Sequence, residues 1–259
     1  MHQVEIRYGA ATDVGRVREV NEDAHLARPP VFVVADGMGG HEGGDVASAI
    51  VVEEFGRLAE SGYDPRRGVE AISETLAACA DRIGEYAAAQ RAAGVARGRS
   101  AGTTAVVALL VEAEDGPAWL LANLGDSRVY RYAEGHLAQV STDHSLVQEL
   151  VDAGQLAAED AATHPERNVI TRALGESTRA QPDFFVLPAT PGERLVLCSD
   201  GVSGMVDDEG LEQILAACSD TADAADRLVR AAVAAGGEDN ATAVVVEVVA
   251  SVDETAALA

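Results

Sequence analysis

Four aspartates in this sequence lie beside apolar segments of strand-like composition, and each has a glycine within three residues. Asp36 follows the apolar residues 31–35, and three of the next four residues are glycines, which allow a turn with positive φ. The others are Asp126 after residues 120–124, Asp200 after residues 195–199 and Asp239 before residues 241–249. A carboxylate at the rim of a core is costly unless it is paired or binds a metal. These four side chains are therefore candidates for one shared site.

Converging strand ends would bring the four carboxylates to one edge of a sheet pair, where they repel one another unless hard cations neutralise them. Aspartate and carbonyl oxygens, without His or Cys pairs at zinc spacing, favour Mg²⁺ or Mn²⁺. Two such ions about 3.5–4 Å apart could share an aspartate and activate a water for in-line attack on phosphorus. The pattern indicates metal-dependent hydrolysis. For each residue taken singly, an ordinary turn aspartate is the alternative.

The elements that must position these residues are predicted from hydrophobic periodicity and turn residues. The predicted strands cover residues 4–9, 24–27, 31–35, 103–111, 119–124, 129–133, 137–141, 184–187, 194–199 and 241–250. The predicted helices cover residues 46–60, 65–93, 143–153, 207–217 and 221–235, with Asp45 and Asp143 as caps of the first and third. The strands between residues 103 and 141 have the spacing of one antiparallel meander. This order predicts an α+β fold with mostly antiparallel sheets and a helix layer on each side.

Length and charge limit the possible functions. The 259 residues suit a single large domain, and acidic residues outnumber basic ones 43 to 19, for a formal charge of -24. Such a charge repels nucleic acid and anionic membranes. We therefore predict no nucleic-acid partner, and we expect a monomer.

The cysteines and the apolar segments bear on the compartment. Cys79, Cys198 and Cys218 are odd in number and form no C-x-x-C motif, which favours reduced thiols over a disulfide or zinc framework. No apolar run approaches the roughly 18 residues that a membrane helix needs, and the N-terminus lacks a signal-peptide pattern. We predict a cytoplasmic chain without a membrane segment.

Six short motifs occur along the chain: Arg18-x-x-Asn21-Glu22-Asp23, Asp36-Gly37-Met38-Gly39-Gly40, Gly102-Thr103-Thr104, Gly125-Asp126-Ser127-Arg128, Ser199-Asp200-Gly201 and Asp239-Asn240. In this order and spacing, over about residues 5–249, they resemble the bacterial branch of the protein phosphatase 2C family. The resemblance implies a four-layer α-β-β-α sandwich of two mostly antiparallel sheets flanked by helix pairs. It also implies Mn²⁺- or Mg²⁺-dependent removal of phosphate from phosphoserine and phosphothreonine in proteins, in opposition to bacterial serine/threonine kinases.

The same resemblance implies a set of metal ligands. Asp36 corresponds to the ligand that bridges two ions, Gly37 corresponds to a ligand through its carbonyl, and Asp200 and Asp239 complete the pair. Asp126 corresponds to a ligand of a third ion found in bacterial members. We expect two tightly bound Mn²⁺ or Mg²⁺ ions and a third that is weak or absent.

Three further residues correspond to groups around the metals. Glu22 and Asp23 resemble carboxylates that act on the ions partly through water. Arg18 matches the phosphate-binding arginine, and its planar guanidinium suits two phosphate oxygens at once. An ordinary surface arginine is the alternative for Arg18.

Two positions depart from the family pattern. Animal relatives carry a presumed general acid, a histidine, where this chain has Met38; His41, three residues on, is the candidate here, with a structural histidine as the alternative. The family commonly has a second aspartate where this chain has Gly204, which weakens the expected third metal site.

The predicted organisation is one catalytic domain over residues 1–250, with a substrate-selecting flap at about 154–167 and a loose tail at 251–259. A pseudophosphatase that binds phosphoproteins without turnover is one alternative function, against which the intact Asp36, Asp200 and Asp239 argue. A phosphatase devoted to a partner-switching regulator is another, and that branch of the family typically lacks the motif around Arg18.

Overall fold

The computed structural model describes residues 3–39, 43–94, 101–175 and 181–252. Its strands are β1 Gln3–Asp13, β2 Asp23–Arg28, β3 Val31–Met38, β4 Gly102–Thr103, β5 Ala105–Ala113, β6 Gly116–Leu124, β7 Arg128–Ala133, β8 His136–Gln139, β9 Leu174–Gly175, β10 Asp183–Pro188, β11 Arg194–Cys198 and β12 Ala241–Val252. Its helices are α1 Gly44–Ser61, α2 Gly68–Ala92, α3 Leu146–Asp152, α4 Ala158–Ala161, α5 Asp200–Ser203, α6 Asp208–Ala217 and α7 Thr221–Ala235. None of the described helices is long and apolar enough to cross a membrane.

The strands form two antiparallel sheets. One has five strands in the order β1-β12-β11-β7-β8, and the other has seven, in the order β10-β6-β5-β3-β4-β9 with β2 also paired to β3. Helices α1 and α2 pack on the seven-stranded sheet, and α6 and α7 pack on the five-stranded sheet. These layers confirm the predicted α-β-β-α sandwich.

Strand β3 shows why its apolar run is continuous. Val31, Val33 and Ala35 face the helix layer, whereas Phe32 and Val34 face the other sheet. Because both faces of this central strand are buried, five successive residues must be apolar. The carboxylate of Asp36 comes immediately after them, at the edge of the sandwich.

The predicted single meander over residues 103–141 is wrong. Strands β5 and β6 belong to the seven-stranded sheet, whereas β7 and β8 belong to the five-stranded sheet. The chain crosses from one sheet to the other at residues 125–127, where Gly125 has a φ of 117°. Alternating hydrophobicity predicts that a strand exists, but both sheets offer apolar surface, so the pattern does not identify its partner.

Several predicted element boundaries also move. Gly43, rather than Asp45, is the N-cap of α1, and Asp45 lies in the first helical turn. Ser145 caps α3 by accepting a hydrogen bond from the Gln148 amide, so the predicted cap at Asp143 is wrong. Strand β12 continues to Val252, two residues beyond the predicted domain boundary, and the rest of the predicted tail lies outside the described residues.

Candidate active site

Asp36 is held by its backbone. Its amide donates to Thr104 Oγ1 at 2.9 Å, and its carbonyl accepts from the Thr104 amide and from Thr103 Oγ1, each at 2.9 Å. Strand β3 also continues past Asp36, because Gly37 and Met38 pair with β4. The Gly102-Thr103-Thr104 motif therefore positions the carboxylate, a role that the sequence did not reveal.

Asp23 lies directly opposite Asp36 in the β2-β3 ladder. Like charges at such a cross-strand pair repel each other. Burial raises the pKa of Asp36 well above its ordinary value, and the neighbouring carboxylates of Asp23 and Asp200 raise it further. Burial also raises the pKa of Asp23 to about 7. Two carboxylates in this arrangement need a cation or a proton between them.

Gly37 is required for space rather than for a left-handed conformation. A Cβ there would lie 2.3 Å from the Gly44 carbonyl oxygen and 2.5 Å from the Glu22 carbonyl oxygen. The Gly37 amide donates to that same Glu22 oxygen at 3.2 Å. The positive φ predicted for this glycine-rich turn occurs at Gly39, at 134°. Close packing at Gly37 places Glu22 beside Asp36.

Asp200 begins the short helix α5 directly after β11. Its carboxyl interacts with that of Asp36, and each of the two shifts the pKa of the other. Burial raises the pKa of Asp200. Preceding it, Ser199 Oγ donates to Asp23 Oδ2 at 2.7 Å. Helix α5 was not predicted, because four residues contain too little periodicity.

Asp239 and Asn240 connect the site to the loop that carries Arg18. Asp239 Oδ2 accepts from Arg18 Nη2 at 2.6 Å. The buried Asn240 side chain donates to the Val14 and Val20 carbonyls at 2.9 and 3.0 Å and accepts from the Glu22 amide at 2.8 Å. Asn240 therefore positions the loop of residues 14–22. The Asp239-Asn240 motif marks this residue in the sequence, although the motif alone does not indicate its positioning role.

Asp126 lies on the crossover between the sheets and is 7% exposed. One of its carboxylate oxygens is buried without a hydrogen-bond partner. Burial raises its pKa to about 7, and the charge of Asp200 contributes. The crossover is fixed by a 2.7 Å hydrogen bond between the Thr104 and Ser127 hydroxyls. It thus presents an uncompensated carboxylate to the same site.

Asp143 and His144 support this crossover. The Asp143 carboxylate accepts from Arg128 Nη2 at 2.7 Å and Nε at 3.0 Å. His144 donates its amide to the Gly125 carbonyl at 2.9 Å and accepts the Gly125 amide at Nδ1, 3.2 Å away. Its Nε2 then carries the proton and donates to Asp183 Oδ2 at 3.2 Å. Burial lowers the pKa of His144.

The site therefore brings together seven of the predicted side chains, namely Arg18, Glu22, Asp23, Asp36, Asp126, Asp200 and Asp239. His41 lies outside the described residues. The buried, unpartnered oxygens of Asp23 and Asp126 fit hard divalent cations. Among the described residues, no three acidic, His or Cys side chains form a closed cluster around one ion. Water and backbone carbonyls would have to complete each coordination shell.

Gly204 directly follows α5 and lines the same groove as Asp126 and Asp200. A Cβ there would lie 2.8 Å from the Asp200 carbonyl oxygen. The glycine therefore allows close packing against the segment that carries Asp200, besides offering no carboxylate of its own.

Comparison with known proteins places this geometry in a family. The family model for protein phosphatase 2C matches residues 16–235. Serine/threonine phosphatase stp of Listeria monocytogenes is 36% identical over 248 residues, which cover 91% of this chain and 93% of the relative. The crystal structure of the Mycobacterium tuberculosis serine/threonine phosphatase PstP/Ppp matches with a TM-score of 0.85 and 34% identity, covering 96% of this chain and 100% of that one.

A second crystal structure, the PstP catalytic domain in complex with two manganese ions, matches with a TM-score of 0.83 and 34% identity over the same shares of the two chains. The sheets, the order of the motifs and these similarities agree. The chain belongs to the protein phosphatase 2C family and is a metal-dependent protein serine/threonine phosphatase.

Proposed function

We propose that this phosphatase hydrolyses phosphoserine and phosphothreonine with two divalent cations held by Asp36, Asp200, Asp239 and the Gly37 carbonyl. When bound, the cations would supply a water of lowered pKa and offset the charge of the phosphate. The observation that carries the proposal is the convergence of buried carboxyls at one edge of the sandwich, where Asp23 lies opposite Asp36 in the β2-β3 ladder and one oxygen of Asp126 is buried without a hydrogen-bond partner. Such a group of carboxyls fits divalent cations that offset their mutual repulsion.

The chain's own residues divide the remaining work. Arg18 would bind the phosphate with its guanidinium, half of which is open to solvent. Glu22 and Asp23 would orient water around the ions, and Asp126 would hold a weaker third ion. We propose His41 as the acid that protonates the leaving oxygen.

We propose Mn²⁺ or Mg²⁺ as the physiological metal, since the donors are oxygens only. The substrates would be phosphoproteins made by serine/threonine kinases, and the compartment would be the cytoplasm, which the three buried free thiols favour. A monomer and a single domain over residues 1–250 stay predictions. Among the described residues, none of the proposed metal ligands has been replaced, so nothing here favours the pseudophosphatase alternative.

Metal dependence tests the proposal. A phosphothreonine peptide and p-nitrophenyl phosphate should be hydrolysed with Mn²⁺ and not after EDTA, and Asp200→Asn or Asp239→Asn should abolish turnover of both. Asp226→Asn is the matched control, because that carboxylate is on α7 and pairs with Arg230. Full activity after complete chelation, or in either site variant, would contradict the mechanism.

A further inference from the structure

A groove of about 1260 Å³ leads away from the site. We call it the flap groove; it lies between residues 143–168 on one wall and residues 200–217 on the other, above α7. Asp126 and Asp200 lie along it, so the groove is continuous with the candidate metal centre. It is larger than most small-molecule pockets, which span about 300–1000 Å³. Its volume and continuity suit a stretch of polypeptide whose phosphorylated residue enters the site.

The walls of the flap groove contain buried and partly buried apolar side chains. Val147 and Val151 come from α3, and Met205, Val206 and Ile214 come from the segment around α5 and α6. Apolar side chains that face each other across an open groove offer contact area to an extended peptide. They do not select its sequence strongly.

The charges in the groove are unevenly distributed. Two of its arginines already have carboxylate partners: Arg128 with Asp143 at 2.7 Å and Arg227 with Asp223 at 3.0 Å. Arg167 lies on the flap wall. The α6 wall carries three successive exposed carboxylates at residues 207–209. The negative charge of the α6 wall therefore exceeds the positive charge of the flap wall.

We propose that the flap groove binds the part of a substrate protein that flanks the phosphorylated residue, and that Asp208 and Glu209 select segments carrying lysine or arginine. This inference rests on the proposed function. Asp207 has another role, because its carboxylate caps α6 by accepting the Gly210 amide at 2.9 Å. Asp208 and Glu209, in the first turn of α6, also interact favourably with the helix dipole, which any test must separate from substrate selection.

The test compares synthetic phosphothreonine peptides in which lysines or glutamates are moved along the flanking positions. With Mn²⁺, kcat/KM of the unmodified protein should favour the best lysine peptide over its glutamate counterpart by about tenfold. The double variant D208N/E209Q should lose about threefold to tenfold on that lysine peptide, since each exposed ion pair contributes modestly. Turnover of p-nitrophenyl phosphate should not change.

The matched control is E70Q/E74Q. These two carboxylates are exposed on α2, on the other helix layer, so the variant changes the net charge equally without touching the groove. Equal losses in the two double variants would assign the effect to the overall charge and overturn the proposal.

A second experiment uses the unmodified protein alone. Because exposed charges are screened within about 10 Å at 0.1 M salt, added NaCl should reduce the preference of the unmodified protein for lysine peptides. Hydrolysis of all peptides without charge preference, or a preference that salt does not reduce, would overturn this inference and leave the proposed function intact. Failure to hydrolyse any phosphopeptide with Mn²⁺ would overturn both.

Discussion

Arg18 donates a 2.6 Å hydrogen bond from Nη2 to Asp239 Oδ2, so the proposed phosphate-binding residue contacts a proposed metal ligand directly. The other Asp239 oxygen accepts the Asn240 amide at 2.8 Å. Asn240 in turn holds the loop that carries Arg18. The guanidinium is therefore oriented from the metal side while half of it faces solvent, where a phosphate can reach it.

Arg18→Ala should lower kcat/KM for phosphopeptides by about tenfold to a hundredfold, because hydrogen bonds to charged groups contribute about 1.5–3 kcal/mol. If the contact strengthens in the transition state, kcat falls together with the rise in KM. Arg16→Ala is the control, since Arg16 is exposed on the same loop. An unchanged kcat/KM in Arg18→Ala would reduce Arg18 to a surface residue.

The pH dependence of the metal-free protein should follow from its buried carboxyls. In the folded state the pKa values of Asp23 and Asp126 are raised from 3.8 to about 7, and those of Asp36 and Asp200 are also raised. The folded state therefore binds more protons than the unfolded state, and stability that is present below about pH 4 is lost as the pH rises through about 7. We expect the thermal midpoint in EDTA to fall by several °C between about pH 5 and pH 8.

His25 and His144 have the opposite effect, because their lowered pKa values make stability fall as the pH drops below about 6.5. Two imidazoles should not outweigh four carboxyls. Asp126→Asn should flatten the profile in EDTA, and saturating Mn²⁺ should raise the midpoint most at high pH. A stabilisation by Mn²⁺ that is independent of pH would contradict this account.

Gly204→Asp tests the third metal site, with a complication that the structure reveals. The new Cβ would lie 2.8 Å from the Asp200 carbonyl oxygen, so the backbone beside a proposed ligand must shift. Gly204→Ala carries the same steric cost without the carboxylate. Calorimetric titration with Mn²⁺ should show a tighter third ion in Gly204→Asp than in Gly204→Ala. Equal affinities, or three comparably tight sites in the unmodified protein, would show that Gly204 does not limit this site.

His41→Ala tests the proposed general acid. An alkyl leaving group needs a proton far more than p-nitrophenolate does, so the variant should slow phosphoserine peptides much more than p-nitrophenyl phosphate. Equal losses on the two substrates would exclude His41 from this role. His25→Ala provides a histidine control on β2.

Local sequence was enough to predict most elements and the carboxylates of the site. Helix α7 spans Thr221–Ala235, which are the predicted bounds, and the structure shows that Asp220 caps it by accepting the Ala222 and Asp223 amides. Asp36, Asp126, Asp200 and Asp239 are recognisable because each lies beside an apolar segment and has a glycine within three residues. These signals lie within a few residues of one another, so they need no knowledge of the tertiary fold.

Only the tertiary structure decided which segments meet. Asp143 has the local pattern of a helix cap, yet its carboxylate forms an ion pair with Arg128, fifteen residues earlier in the chain. Asn240 holds a loop more than 200 residues away. The strands predicted as one meander divide between two sheets for the same reason. Burial and long-range hydrogen bonds join segments that are distant in sequence, so a short stretch of sequence does not contain the interactions that decide which strands pair. The raised pKa values of the site likewise arise from burial and from carboxylates that meet only in the fold.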